Sequence, residues 1–113
     1  MMRRFCQRAW LKPEKVDEYR RLHANAWPEV LRTIEACNLR NYRIHLLDTL
    51  VVSTFDYVGD DYEADMRRME ADPVTQDWWT HTKPCFLRHD EKIYYEDMEE
   101  IFHFDGAGAG DAV

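Results

Sequence analysis

Residues 41–57 read Asn41-Tyr42-Arg43-Ile44-His45-Leu46-Leu47-Asp48-Thr49-Leu50-Val51-Val52-Ser53-Thr54-Phe55-Asp56-Tyr57, and their pattern decides the fold. Tyr42, Ile44 and Leu46 fall on one side of an alternation, Arg43 and His45 on the other. Successive side chains of a strand point to opposite faces, so this period predicts a strand with one buried face. Leu50 to Tyr57 is a second run rich in β-branched and aromatic residues. Asp48-Thr49 between the runs is the spacing of a tight hairpin.

Helical patterns flank the hairpin on both sides. Pro13 stands where a first helical residue would, with acidic Glu14 behind it. Val16, Tyr19, Leu22, His23 and Ala26 then recur at steps of three and four, the period of a helix with one inward face. Trp27-Pro28 breaks that helix. A second stretch places Val30, Leu31, Ile34 and Cys37 on one face. Beyond the hairpin, Gly59-Asp60-Asp61 offers a loop and N-cap for a helix over about 61–71, with Tyr62, Met66 and Met69 inward. Asp72-Pro73 opens a short helix through Trp78-Trp79.

Residues 4–11 predict a first strand and residues 95–104 a last one, after a charged, irregular stretch over 83–93. The order β-α-β-β-α-β predicts an α+β fold on the ferredoxin-like plan, an antiparallel sheet with helices on one face. Residues 1–105 are expected to form a single domain. The Gly/Ala-rich tail 106–113 has little to bury and is expected to be disordered.

The chain has 113 residues, with 15 Lys and Arg against 22 Asp and Glu, a formal charge of −7. An acidic chain releases few counterions from a phosphate backbone, which argues against nucleic acid as a partner, and the same balance disfavours an anionic membrane. No stretch reaches the roughly 18–20 apolar residues that span a bilayer. Cys6, Cys37 and Cys85 are odd in number and widely spaced, which fits reduced thiols and a cytoplasmic location. No apolar run follows Met1-Met2-Arg3-Arg4, so no signal peptide is expected.

Chemistry concentrates in two places. Tyr19, His23 and Trp27 are spaced four apart, so a continuous helix would stack them along one face. A histidine ionises near neutrality and can both give and take protons. The competing reading is a packed aromatic stripe. Trp78 and Trp79 are adjacent, so on a helix they point about 100° apart; one is expected to pack inward and the other to line a cleft or an interface. Tyr42, opening a strand, can aim its hydroxyl at the same cleft. His81, Cys85 and His89 repeat every four residues, but Pro84 interrupts the helix they would need and no fourth ligand is near, so no metal site is expected. Nucleotide, phosphate-loop and common hydrolase motifs do not occur.

The segment Glu18-Tyr19-Arg20-Arg21-Leu22-His23-Ala24-Asn25-Ala26-Trp27-Pro28-Glu29 resembles the E-Y-x-x-x-H-x-x-x-W-P-E stretch of the L-rhamnose mutarotase family. Asn41-Tyr42, the late Trp78-Trp79 pair and the ending Met98-Glu99-Glu100-Ile101-Phe102-His103-Phe104 resemble further family features in the same order. The resemblance covers residues 2 to about 104. It implies a homodimeric dimeric α/β barrel that interconverts the α and β anomers of a 6-deoxy-L-hexose without a cofactor. It implies His23 as the proton donor and Tyr19, Tyr42, Trp78 and Trp79 as sugar contacts, with Trp27 as a further pocket residue. Thr80-His81-Thr82-Lys83-Pro84 and the charged loop to Tyr95 depart from the family. L-Fucose therefore stands beside L-rhamnose as a substrate. Two other classes share the fold plan: small oxygenases, cofactor-free or haem-using, and non-catalytic sugar-binding modules. Haem absorption or oxygen uptake would mark the first, and ligand binding without anomer exchange the second.

Overall fold

A computed structural model describes residues 2–88, 95–104 and 106. The elements are β1 (Arg3–Trp10), α1 (Val16–Ala24), α2 (Pro28–Ala36), β2 (Leu39–Leu47), β3 (Leu50–Tyr57), α3 (Tyr62–Ala71), α4 (Pro73–Thr82) and β4 (Glu96–Asp97), with 3-10 turns at Pro13–Lys15 and Lys83–Cys85. The sheet runs in the order β2-β3-β1-β4, and its strand pairs are antiparallel. This is the α+β, ferredoxin-like arrangement expected from the hairpin and its flanks. The tail from Ala107 and residues 89–93 of the 83–93 stretch lie outside the described residues.

Register explains which side chains face the helices. Arg3 lies opposite Tyr57 and Trp10 opposite Leu50, so Phe5, Gln7 and Ala9 share a face with Val51, Ser53, Phe55 and Tyr57. On β2, Ile44 lies opposite Ser53 and Leu46 opposite Val51, with an irregularity between Arg40 and Arg43. Asn41 there takes a left-handed φ of 55°. The extra residue is a bulge, and it lets Leu39 and Tyr42, three apart, both face the helices. Tyr42 consequently stacks on Phe55, ring centroids 5.2 Å apart.

Two apolar clusters hold the sheet to its helices. One joins Ala9, Leu11, Tyr19, Val51, Cys85 and Phe86. The other joins Cys37, Leu39, Phe55, Tyr57 and Met69. Asp61 caps α3 by accepting from the Ala64 N–H, and Asp72 caps α4 by accepting from the Thr75 N–H, as their positions in the sequence suggested.

Four expectations change. The last strand is not 95–104 but the two residues of β4; Met98 still donates its N–H to Cys6 O, while Ile101, Phe102 and Phe104 stand in solvent. Beyond Met98 the segment stays beside β1 through side chains, Arg4 meeting Glu100 and His103, and not through a continued ladder. Helix α1 stops at Ala24, before Trp27, because Asn25 leaves helical geometry and Trp27 is the extended residue ahead of Pro28. Leu31 is exposed although Val30 and Cys37 are buried. Cys85 and Phe86, inside the supposedly irregular stretch, are core residues, and Phe86 bridges to Leu11.

Candidate functional site

A cavity of about 630 Å³ lies between the helices and the concave face of the sheet. Helix α1 contributes Tyr19 and His23, β2 contributes Tyr42, and α4 contributes Trp78 and Trp79. Five residues separated by up to 60 positions in the chain thus line one space.

His23 is half-buried, and its imidazole lies against the Tyr19 ring at 4.2 Å and edge-on to Trp78 at 5.4 Å. Its Nδ1 sits 2.9 Å from Tyr19 O, the carbonyl one turn earlier. A carbonyl only accepts, so Nδ1 carries the proton and donates it. In the neutral ring Nε2 is then left with a lone pair. Burial pushes the imidazole below its usual pKa, outweighing the opposite effect of the Tyr19 carbonyl. His23 is held as a neutral base with one fixed tautomer.

Burial acts the other way on the phenols. Tyr19 is pushed up to about 12, although its hydrogen bond with Tyr95 opposes part of the rise. Tyr42 is raised by burial as well, chiefly, and then by the nearby Tyr95 and Tyr62. Tyr42 lines the cavity although 39% of its surface is exposed. At neutral pH these tyrosines are proton donors.

The tryptophans divide differently from expectation. Both line the cavity, rather than one packing inward and the other opening onto a cleft or interface. Trp78 is buried beside His23, whereas Trp79 packs with the second apolar cluster and lies under the Lys83 ammonium at 4.4 Å. Because α4 runs along the cavity, two directions 100° apart both reach it. Trp27 is not among the lining residues; it stands behind Trp78 at 5.2 Å and also meets His81 at 5.5 Å. It supports the wall instead of forming it.

The sequence pattern did not point to Tyr95 or Gln7. Tyr95 lines the cavity between Tyr19 and Tyr42 and was hidden within the expected last strand. Gln7 reaches the cavity from β1 while its Nε2 donates to Asp97 at 2.9 Å. The remaining wall is apolar, with Ile34, Met66 and Met69 among its side chains. Among the described residues no cluster of His, Cys, Asp and Glu is arranged to hold a metal; His89, third of the four-residue repeat, lies outside them. No helix among them is long and apolar enough to cross a membrane.

Comparison with known proteins gives a consistent result. A family model described as L-rhamnose mutarotase matches residues 4–104. The L-rhamnose mutarotase of Oceanobacillus iheyensis is 31% identical over 94 residues, covering 82% of this chain and 89% of the relative. That of Lactiplantibacillus plantarum is 29% identical over 105 residues, covering 92% of this chain and all of the relative. The crystal structure of an L-rhamnose mutarotase from Formosa agariphila superposes with a TM-score of 0.73 over 91% of this chain and 99% of that one, at 15% identity. That structural likeness shows the fold.

Proposed function

Because this chain belongs to the L-rhamnose mutarotase family, we propose that it is an isomerase interconverting the α and β anomers of L-rhamnopyranose in the aromatic cavity. The observation that carries this reading is His23: a neutral imidazole of fixed tautomer, its Nδ1 proton engaged by Tyr19 O, in a cavity lined by phenols and indoles. The indole faces suit the C–H faces of a sugar. The apolar wall of Ile34, Met66 and Met69 suits the methyl group of a 6-deoxy hexose.

Ring opening needs one proton removed from the anomeric hydroxyl and one delivered to the ring oxygen. His23 Nε2 takes the first as the C1–O1 double bond forms and the C1–O5 bond breaks. A phenol of the cavity gives the second to O5. Rotation about C1–C2 presents the other face of the aldehyde, and both transfers reverse; in that closing step the His23 imidazolium is the proton donor. Each transfer contributes about 10²–10⁴-fold. Tyr19, Tyr42, Trp78 and Trp79 contact the sugar in this reading. No cofactor or metal is needed, since the reaction moves only protons.

The reading extends to a homodimer in a reducing compartment such as the cytoplasm. The sheet face turned away from the helices carries Trp10, Leu50 and Val52, and Ile101, Phe102 and Phe104 expose apolar surface beyond β4. That exposed apolar surface, which a second copy would cover, supports the dimer. Cys6, Cys37 and Cys85 are all unpaired, which suits a reducing environment. Sedimentation analysis checks the dimer, and a monomer at micromolar concentration would contradict it.

NMR exchange between the anomeric proton signals of L-rhamnose and of L-fucose, with and without the protein, tests the activity. Faster exchange for L-rhamnose is expected. Faster exchange only for L-fucose would change the substrate, and no acceleration of either would overturn the reading.

A further inference from the structure

We propose that Gln7 is a specificity-determining residue of this site, its side-chain carbonyl accepting a hydrogen bond from a hydroxyl at C2, C3 or C4 of the bound pyranose. The inference rests on the mutarotase reading and deepens it, because it adds a group that recognises the sugar away from the reacting C1–O5 bond.

The geometry starts from two neighbouring strands. Gln7 on β1 is paired with Asp97 on β4, and Gln7 Nε2 donates to Asp97 Oδ1 at 2.9 Å. An ionised carboxylate only accepts, so it is the nitrogen end of the amide that must face it. Gln7 lines the cavity, whereas Asp97 does not. The nitrogen is thus drawn toward β4, and the carbonyl oxygen is the polar end left to the cavity. Gln7 Oε1 accepts no hydrogen bond among the described residues. Ser53, opposite Gln7 on β3, is fully buried and its Oγ makes no hydrogen bond, so it does not occupy the carbonyl. The next rung along, Arg8 with Glu96 at 3.0 Å, ties the same two strands on the opposite face of the sheet.

The rest of the lining makes such an acceptor scarce. No carboxylate is among the described residues that line the cavity; their polar side chains are phenols, indoles, Thr75, Thr82, Lys83, His23 and Gln7. Indole N–H and ammonium groups only donate. The Thr75 hydroxyl gives its proton to Asp72 Oδ2 at 2.8 Å. Among these groups His23 Nε2 and Gln7 Oε1 are the two that accept without a proton of their own. His23 Nε2 is taken by the anomeric hydroxyl. A pyranose brings a proton on each further hydroxyl, and burying one without an acceptor is costly. Gln7 Oε1 is the acceptor for one of them. Because that contact lies apart from the reacting atoms, it serves ground state and transition state alike, and its loss appears in KM and not in kcat.

The test measures anomer exchange by NMR for the wild type, Gln7→Met and Asp97→Ala, with thermal midpoints alongside. The sugars are L-rhamnose and its 2-deoxy, 3-deoxy and 4-deoxy analogues. Gln7→Met keeps the length of the side chain and removes the carbonyl. For L-rhamnose it is expected to raise KM about tenfold, the size of one hydrogen bond left unmade, with kcat close to wild type. One analogue should show the same rise with the wild type and no further rise with Gln7→Met, since the partner of the carbonyl is already gone. Asp97→Ala separates recognition from a mere tie between strands. Both variants break the Gln7–Asp97 bond and should lower the midpoint alike, but Asp97→Ala keeps the carbonyl, so discrimination against that analogue should shrink without vanishing. A wild-type KM in Gln7→Met would overturn the proposal, as would a rise equal for L-rhamnose and all three analogues. Equal loss of discrimination in Asp97→Ala and Gln7→Met would overturn it too. A wild type that exchanges nothing would instead overturn the mutarotase reading, and this proposal with it.

Discussion

Tyrosine hydroxyls occur in both apolar clusters, and the two clusters treat them in opposite ways. In the cluster around Phe55 and Met69, Tyr57 donates to Asp65 Oδ2 at 2.5 Å and accepts from the Asp61 N–H at 2.9 Å, while Asn38 donates to the same Asp65 oxygen. Every partner there is a neighbouring loop or helix end, so the hydroxyl locks the β3–α3 connection. In the cluster around Leu11 and Phe86, Tyr19 and the Tyr95 packed beside it face the cavity. A fully satisfied network rigidifies a fold, whereas polar groups left with open capacity are available to a ligand. Tyr57 ties a connection of the fold together, while the Tyr19 and Tyr95 phenols face the cavity that residues of both clusters line.

Substitutions should separate these two roles. The largest effect is expected from His23→Ala, which removes the base: kcat should fall by at least about 10²-fold while the thermal midpoint stays close to wild type. Next, Trp79→Ala should raise KM for L-rhamnose by about tenfold, the loss of one aromatic face, and leave kcat near wild type. Normal saturation with a collapsed kcat would place Trp79 in the proton chemistry instead. On the other side of the comparison, Gly59→Ala should cost stability and spare catalysis. A Cβ at Gly59 would sit 2.5 Å from Tyr57 Oη and 2.8 Å from Asp65 Oδ2, so the locked cluster must shift. About 1–3 kcal/mol of destabilisation is expected from denaturant titration, with kcat unchanged.

Acid should act on the two clusters through different groups. Hydrogen bonds from Tyr57 and Asn38 hold the Asp65 carboxyl below its ordinary pKa, and bonds from Thr75 do the same for Asp72. A depressed carboxylate stabilises the fold fully above its unfolded pKa, and that contribution is lost as pH falls through the folded value. The carboxylates' share of the melting midpoint should therefore be lost only in strong acid, while His23, lowered by burial in the fold, adds a smaller loss that begins as pH falls through its unfolded value of about 6.5. The rate should fall earlier, when His23 takes a proton, yet still below the ordinary imidazole value of about 6.5 because burial keeps the ring neutral. A rate that declined only together with the melting midpoint would contradict His23 as the base.

Much of this was legible in the chain. The two-residue Asp48-Thr49 turn between two strand patterns placed the hairpin, and Asp61 and Asp72 marked both helix starts, because local turn and cap chemistry is written in adjacent residues. The convergence of His23, Tyr19, Tyr42 and the tryptophans on one cavity depends on register. The alternation of Tyr42, Ile44 and Leu46 already put Tyr42 on the helix-side face, whereas the Arg40–Arg43 bulge, which brings Leu39 onto it as well, has no signature in the sequence. Trp27 illustrates the reverse error: a four-residue spacing suggested a shared helical face, but the helix ended at Ala24. Residues 98–104 have strand composition and lie beside β1, yet the paired register ends at Asp97, since a ladder needs backbone alignment as well as a pattern. Tyr95 has no sequence signal because its place in the cavity beside Tyr19 joins residues remote in the chain.

The most direct test of the central claim is the NMR exchange rate of the L-rhamnose anomers at neutral pH, with wild type and His23→Ala measured side by side at equal, folded concentrations. Catalysed exchange by the wild type and near-background exchange by the variant is the expected result. Equal acceleration by both proteins would contradict the role given to His23, and background exchange by both would contradict the activity itself.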